Sequence, residues 1–304
     1  MCERFSFIDF FKKYPTEESA EQFFTELRWG KKIVCPHCGA DEIAVVKNGK
    51  PMPFRCKKCR KHFSVRTGTI LTESKLPLQK WLLAMYILLN SKKGVSSVQL
   101  AEMLDTTQKT AWFLAHRIRE TWLSSNEYKL SGIVEIDETY IGGLERNKHA
   151  AEKLRAGRGA VGKMPVVGIK SRAGQVRAFS VAETNTETLT GAIRENVAAG
   201  SAVYTDQYRA YNGLNEYTHK RVKHNVGEFV REMVHTNGIE SFWAIVKRGY
   251  YGIYHKWSKK HLQRYIDEYS SRYNLRNVPA MARVSVAVLG GMNKHLSYKE
   301  LING

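Results

Sequence analysis

Seven residues of this chain have types and spacing that could do chemistry, four cysteines and three carboxylates. Cys35-Pro-His-Cys38 is followed, after seventeen residues, by Cys56-Lys-Lys-Cys59. Two CxxC knuckles at that separation can close a tetrahedral thiolate site around a single structural Zn²⁺. Lys31, Lys32, Arg55, Lys57, Lys58, Arg60 and Lys61 crowd the knuckles, a coat that suits a nucleic-acid partner. The carboxylates are Asp137, Asp206 and Glu240. Asp137 and Asp206 close apolar, alternating runs that would not otherwise want a charge. Glu240 lies on a helical pattern whose apolar stripe is Ile239, Phe242, Trp243 and Val246. Together they would make an oxygen-only site of the kind Mg²⁺ or Mn²⁺ prefers. Two such ions about 3.5–4 Å apart would clamp the attacking and leaving oxygens of a phosphodiester. Lys247, two turns beyond Glu240 on the same side, would hold a phosphate as a point charge.

Each residue alone has a plainer reading. Asp206 could cap the next helix, Glu240 and Lys247 could form a surface ion pair, and Asp137 could be a turn residue. Glu135 and Glu138 flank Asp137, and spacing alone does not exclude either as its substitute.

The elements that must position these residues follow from periodicity and caps. Residues 16–28 read as a short amphipathic helix opened by Thr16. The knuckles, joined by β-like runs at 43–46 and from Phe54 into Cys56, outline a zinc ribbon ending near Thr72. An apolar helix spans 78–90 after Pro77. Residues 94–122 then read as helix, turn, helix. Ser96 or Ser97 caps the first helix, with Val98, Ala101 and Leu104 along it, and residues 105–107 turn. The second helix is expected to turn Trp112, Ala115 and Ile118 inward, with Lys109, His116, Arg117 and Arg119 nearer solvent. A helix-turn-helix of this kind puts its second helix in the major groove.

From Gly132 the period becomes alternating: a strand to Ile141, a basic loop over 144–163, and a hairpin of 164–169 with 176–182. A helix over 186–198, strands at 200–206 and 220–224, and helices at 236–248 and 259–273 complete an α/β pattern with a mixed sheet. Three domains are expected: 1–72, 73–130 and 131–304. In the last, Tyr250, Tyr251, Tyr254 and Trp257 interleave with Arg248, His255, Lys256, Lys259 and Lys260. That mixture could grip DNA by charge and stacking, or the rings could pack the last helix on the sheet.

The chain has 304 residues, and 48 Lys+Arg against 29 Asp+Glu leave a formal charge of +19. That balance draws a protein to phosphates through counterion release. The longest apolar run, Trp81 to Leu89, is nine residues, too short to span a bilayer. No signal pattern opens the sequence, and four cysteines reserved for metal beside a lone Cys2 fit a reducing compartment. A soluble, cytoplasmic protein with no membrane partner is expected.

Several motifs together resemble the DDE insertion-sequence transposases, specifically the ISXO-like group with an N-terminal zinc ribbon. They are ELRW (26–29) leading into CPHC (35–38), EIDETYIGG (135–143), YTD (204–206), HTNGIESFW (235–243) with KRGYYG (247–252), and HLQRYIDEY (261–269). The resemblance runs from about residue 15 to 280. It implies an RNase H-like catalytic domain whose metal-binding triad is Asp137, Asp206 and Glu240, with Lys247 as the family's basic residue. It also implies a prokaryotic, nucleoid-associated enzyme that binds terminal inverted repeats, cuts at the element ends and joins the freed 3′-OH to target DNA. Cutting two ends in concert implies at least a homodimer. Lys57, Lys58, Lys109, Arg117, Arg248 and Lys256 are the candidate DNA contacts. The rival readings are a non-catalytic DNA-binding regulator and a nuclease of the same fold without strand joining.

Overall fold

Local capping decides where several of the helices begin. In the computed structural model, which describes residues 5–122, 128–143, 145–147, 149–154, 160–222 and 235–303, reciprocal capping boxes open the first two helices. Ser6 with Asp9 starts α1 (Phe7–Lys13), and Thr16 with Ser19 starts α2 (Glu17–Trp29). Strands β1 (Ile43–Val45), β2 (Phe54–Cys56) and β3 (His62–Phe63) follow as an antiparallel sheet in the order β1-β2-β3. Next come α3 (Leu78–Asn90), α4 (Ser97–Met103) and α5 (Gln108–Arg119). A second sheet and its helices comprise β4 (Ile133–Ile141), β5 (Met164–Ser171), β6 (Val176–Ser180), α6 (Thr186–Asn196), β7 (Ala202–Thr205), β8 (Thr218–Arg221), α7 (Asn237–Gly249) and α8 (Leu262–Asn274). The chain closes with α9 (Ala280–Gly290) and α10 (Tyr298–Asn303). No helix among the described residues is long and apolar enough to cross a membrane.

Two compact units result: Met1–Leu123 together with Asn277–Gly304, and Ser124–Arg276. The expectation of one domain from 131 to 304 is corrected here. Val284, Ala287 and Val288 of α9 are buried in the same cluster as Phe24, Ile70 and Trp81. Backbone bonds seal the return, Ile70 N to Gly291 O at 3.1 Å and Asn293 N to Gly68 O at 2.9 Å. The expected boundary at residue 72 also dissolves, because Val65, Ile70 and Leu71 share that core with α3 and α5. Pro77 has no side chain to cap α3, so the Glu17 carboxylate does it from α2, accepting from Leu78 N at 2.7 Å and Gln79 N at 2.9 Å.

The helix-turn-helix segment has the expected elements but not the expected faces. Ser96 and Thr107 cap α4 and α5. Val98 is 56% exposed, and Leu100 takes the buried place beside Ala101 and Leu104. On α5, His116, Arg117 and Arg119 are buried rather than nearer solvent. Arg117 is 4% exposed; its Nη2 donates to Thr72 O at 2.6 Å, and its guanidinium lies over the rings of Trp81 and Phe113 at 5.3 and 5.4 Å. A flat guanidinium can stack on aromatics while a carbonyl takes its N–H, so a cation that reads as surface becomes core. This removes Arg117 from the exposed DNA-facing set.

In the second unit the strand order is β6-β5-β4-β7-β8. β5 pairs antiparallel with both β4 and β6, whereas β4–β7 and β7–β8 are parallel. Val134, Ile136, Val167, Ile169 and Val203 face α6 through Leu189 and Ile193. Ile141, Val166 and Val176 face α7 and α8 through Ile239, Phe242, Trp243 and Ile266. The central strand is therefore covered on both sides, with successive residues sent to opposite layers. Within 144–163, short 3₁₀ turns occupy Glu145–Asn147 and Ala150–Glu152, and residues 144, 148 and 155–159 lie outside the described set. The strand expected at 220–224 begins two residues earlier, and 223–224 fall outside the described residues.

One glycine sets how closely α7 approaches the sheet. Gly168 on β5 sits opposite Asp137, and a Cβ there would lie 2.8 Å from Ile239 Cδ1 and nearer still to the Trp243 ring. Gly168→Ala should therefore lower stability by about 1–3 kcal/mol, measured by urea unfolding, through overpacking of this layer.

Candidate active site and metal centre

The ribbon brings its four sulfurs together. The ligand atoms of Cys35, Cys38, Cys56 and Cys59 all lie within 4.8 Å of one another, and Cys35–Cys59 and Cys38–Cys56 are each 3.6 Å apart. A tetrahedral Zn²⁺ with Zn–S bonds of about 2.3 Å sets its sulfurs about 3.8 Å apart, so the cluster fits a structural zinc. Backbone amides aim at the sulfurs, His37 N at Cys35 and Cys59 N at Cys56, each at 3.4 Å. The Cys59 amide is the largest influence lowering the Cys56 thiol to about 7, which favours the thiolate a metal requires. Phe63, Trp29, Ile33 and Phe54 pack around the cluster as a separate small core.

The carboxylates meet in the other unit. β4 and β7 run parallel with Glu135 opposite Tyr204, so two residues further on Asp206 stands level with Asp137. Both lie on the sheet face covered by α7, which carries Glu240 in its first turn. The Asp137 carboxyl is pushed up to about 7, first by burial and then by the charges of Glu138, Asp206 and Glu240. Asp206 Oδ1 accepts from Tyr208 N at 2.9 Å, and Glu240 Oε1 accepts from the Thr236 hydroxyl at 2.9 Å. The Asp206 bond closes a turn after β7; the 3₁₀ turn that follows, Arg209–Tyr211, has Tyr208 as its N-cap and no side-chain capping bond, so Asp206 does not cap it. Among the described residues, only the cysteines have ligand atoms mutually within 4.8 Å, so the three acids span a wider gap. An all-oxygen, mutually repelling set of this kind suits hard divalent cations.

The structure also separates the three acids of β4, which spacing could not. Glu138 turns to the α6 side, where the Tyr211 hydroxyl donates to its Oε2 at 2.5 Å. Its carboxyl is raised by burial, partly offset by that bond. Glu135 is 1% exposed and faces the start of α7, accepting from Ile239 N at 3.0 Å. Asp137 feels the charges of both Asp206 and Glu240, and Glu138 that of Asp206. Gly168, Thr236 and Tyr208 escaped the sequence reading. A glycine inside the apolar run MPVVGIKS was the available signal for close backbone approach at Gly168.

Lys247 is exposed on α7, seven residues after Glu240. Arg248 and Lys256 are exposed, as are Lys57 and Lys58 of the ribbon and Lys109 of α5, whose Nζ lies 4.7 Å from the Tyr298 ring centre. The tail aromatics mostly pack rather than project. Tyr250 and Trp257 are buried, and Trp257 stacks on Tyr265 with centroids 4.9 Å apart, while Tyr251 stays exposed.

Residues 129–274 match the ISXO2-like transposase domain, and residues 15–62 match the transposase zinc-ribbon domain. A Halobacterium salinarum protein, described as an uncharacterized protein in transposable element ISH50, is 30% identical over 252 residues, covering 78% of this chain and 84% of the relative. An uncharacterized transposase-like protein of Haemophilus influenzae is 31% identical over 116 residues, 36% of this chain and 90% of the relative.

Two outcomes are expected. Metal analysis should find one Zn²⁺ per chain, and Cys56→Ser should lose it and speed amide exchange across the ribbon strands. In chelator-treated protein, stability should fall as pH rises from the ordinary carboxylate range through about 7, because the folded state holds a proton on Asp137 that the unfolded state releases earlier. Asp137→Asn should remove that fall and stabilise the metal-free protein at pH 8 by on the order of 1–3 kcal/mol, read from thermal unfolding.

Proposed function

The chain belongs to the ISXO2-like transposase family, and we propose that it cuts the ends of its insertion sequence and joins them to target DNA. The observation that supports this reading is the register of β4 and β7, which sets Asp137 and Asp206 level beneath the helix that carries Glu240 in its first turn. The unit that holds them reads as an RNase H-like catalytic domain. What supports this is its mixed five-stranded sheet, with helices on both faces, Asp137 in the middle of β4 and Asp206 just past the end of the adjacent parallel β7.

Asp137, Asp206 and Glu240 would hold two Mg²⁺ or Mn²⁺ ions. Bound there, such ions lower the pKa of a water and stabilise a leaving oxyanion. Water first breaks the phosphodiester at the element end and leaves a 3′-OH. That hydroxyl then attacks a target phosphodiester in line, forming one P–O bond as the other breaks. Lys247 holds a neighbouring phosphate oxygen as a point charge, which orients the strand for both steps. The protein supplies no nucleophile of its own.

Recognition of the terminal inverted repeats falls to the zinc ribbon and to α4–α5, which act as a helix-turn-helix. Lys57, Lys58 and Lys109 are the proposed contacts there, and Arg248 and Lys256 of the catalytic unit hold duplex DNA by its backbone. A homodimer or larger assembly on DNA brings two ends together, in the cytoplasm of a prokaryote and on its nucleoid.

The test is a strand-joining assay on the element's own DNA with both flanks, in Mg²⁺ or Mn²⁺. Wild type should give joined products. Asp206→Asn, Asp137→Asn and Glu240→Gln should each lower cutting and joining by about 100-fold or more while leaving end binding intact. Cuts without joining would instead make this a nuclease, and tight binding with no chemistry in any variant would make it a regulator.

A further inference from the structure

Glu135 has no part in the chemistry above, yet its surroundings are built around its charge. Its Oε2 accepts from Ile239 N at 3.0 Å, and its Oε1 lies 3.3 Å from Arg172 Nε and 3.5 Å from His235 Nδ1. Lys170, its partner across β4 and β5, is buried as well. The helix it meets lacks a cap of its own. Thr236, at the N-terminus of α7, makes no side-chain capping bond and gives its hydroxyl to Glu240 instead. The fit is tight at Gly238, where a Cβ would fall 2.6 Å from Glu135 Oε2 and 2.6 Å from Lys170 Nζ.

We propose that Glu135 is a positioning residue that caps α7 from the central strand and so fixes where Glu240 stands. The amide it holds belongs to Ile239, the residue before Glu240. Glu135 itself lies two residues before Asp137 on the same face of β4, about 6.6 Å along the strand. One strand thus carries both an acid of the site and the clamp that sets the height and rotation of the helix delivering another. Carboxylates that share metal ions must be held to a fraction of an ångström, and an uncapped helix start would fray at the turn that carries Glu240. The proposal rests on the reading of Asp137, Asp206 and Glu240 as the catalytic set. It assigns Glu135 no metal, because both its oxygens are engaged by an amide and by cationic neighbours.

The experiment compares Glu135→Gln, Glu135→Ala and Gly238→Ala with wild type and Asp137→Asn in the full chain. Mn²⁺ affinity is measured by calorimetry, amide exchange at residues 238–242 in metal-free protein, and cleavage on element-end DNA. Glu135→Ala and Gly238→Ala are each expected to weaken Mn²⁺ binding and cleavage by about tenfold or more and to speed exchange at the start of α7. Glu135→Gln keeps an oxygen for the Ile239 amide and is expected to stay within about threefold of wild type on all three readouts. If Glu135→Gln loses Mn²⁺ as completely as Asp137→Asn, Glu135 is a ligand and the proposal falls. It falls equally if Glu135→Ala leaves affinity and exchange at wild-type values. Should Glu135→Ala fail to fold, Gly238→Ala carries the same test with Glu135 in place, and wild-type behaviour there overturns it. A wild type that binds Mn²⁺ but never cuts would defeat the transposase reading, while exchange and affinity would still decide the role of Glu135.

Discussion

Like charges must be held together in the second unit, and its architecture answers to that constraint. Asp137, Asp206 and Glu240 gather on a partly dry face, where burial first, and then the charges of Glu138 and the other two acids, lift the Asp137 carboxyl to about 7. No local structure would gather them, because each comes from a different element. Parallel pairing of β4 with β7 sets the two aspartates level, and a helix that crosses the strands must bring the glutamate. That helix comes near enough only because Gly168 presents no side chain to the Trp243 ring. Hydrophobic packing of Ile239, Phe242, Trp243 and Val246 then holds against the repulsion. The acids would part if left to themselves, and the fold around them is what keeps the charges together.

The metal centre of the first unit follows the opposite logic. Its sulfurs converge at contacts of 3.6 Å through two tight turns and a short sheet whose own apolar core is small. A ribbon of this size buries too little to stand without a staple, so zinc there is structural in origin. The two clusters differ in kind: the sulfurs suit a metal that completes a fold, whereas the acids are held in place by the packing around them.

Much of this was legible in the residues. The limits of α3 could be read directly, because Pro77 forbids an earlier start and the apolar run ends at Asn90. Asp206 stood out as a charge at the end of an apolar strand, and Glu240 sat one residue along from a clear helical stripe, whereas Asp137, expected to close its run, lies in the middle of β4. What stayed hidden depends on tertiary partners. Arg117 looked like a surface cation until Trp81, Phe113 and the Thr72 carbonyl were in place around it. The roles of Glu135 and Glu138 could not be told from alternation, since what distinguishes them is an amide of α7 and the hydroxyl of Tyr211. The membership of α9 in the first unit was equally invisible, because its apolar face says that it packs but not on what.

That last feature has a bearing on the order of events during synthesis. The unit containing the sheet is spliced, in chain terms, into the unit containing the ribbon, which enters at the beginning and is finished by residues 277–304. As the polypeptide leaves the ribosome, the sheet unit has all its residues while the first unit still lacks Val284, Ala287 and Val288 from its core. The sheet unit can therefore mature ahead of the part that carries the ribbon. A chain broken off short of α9 would leave its first unit with an open apolar face, a species fit for aggregation or degradation.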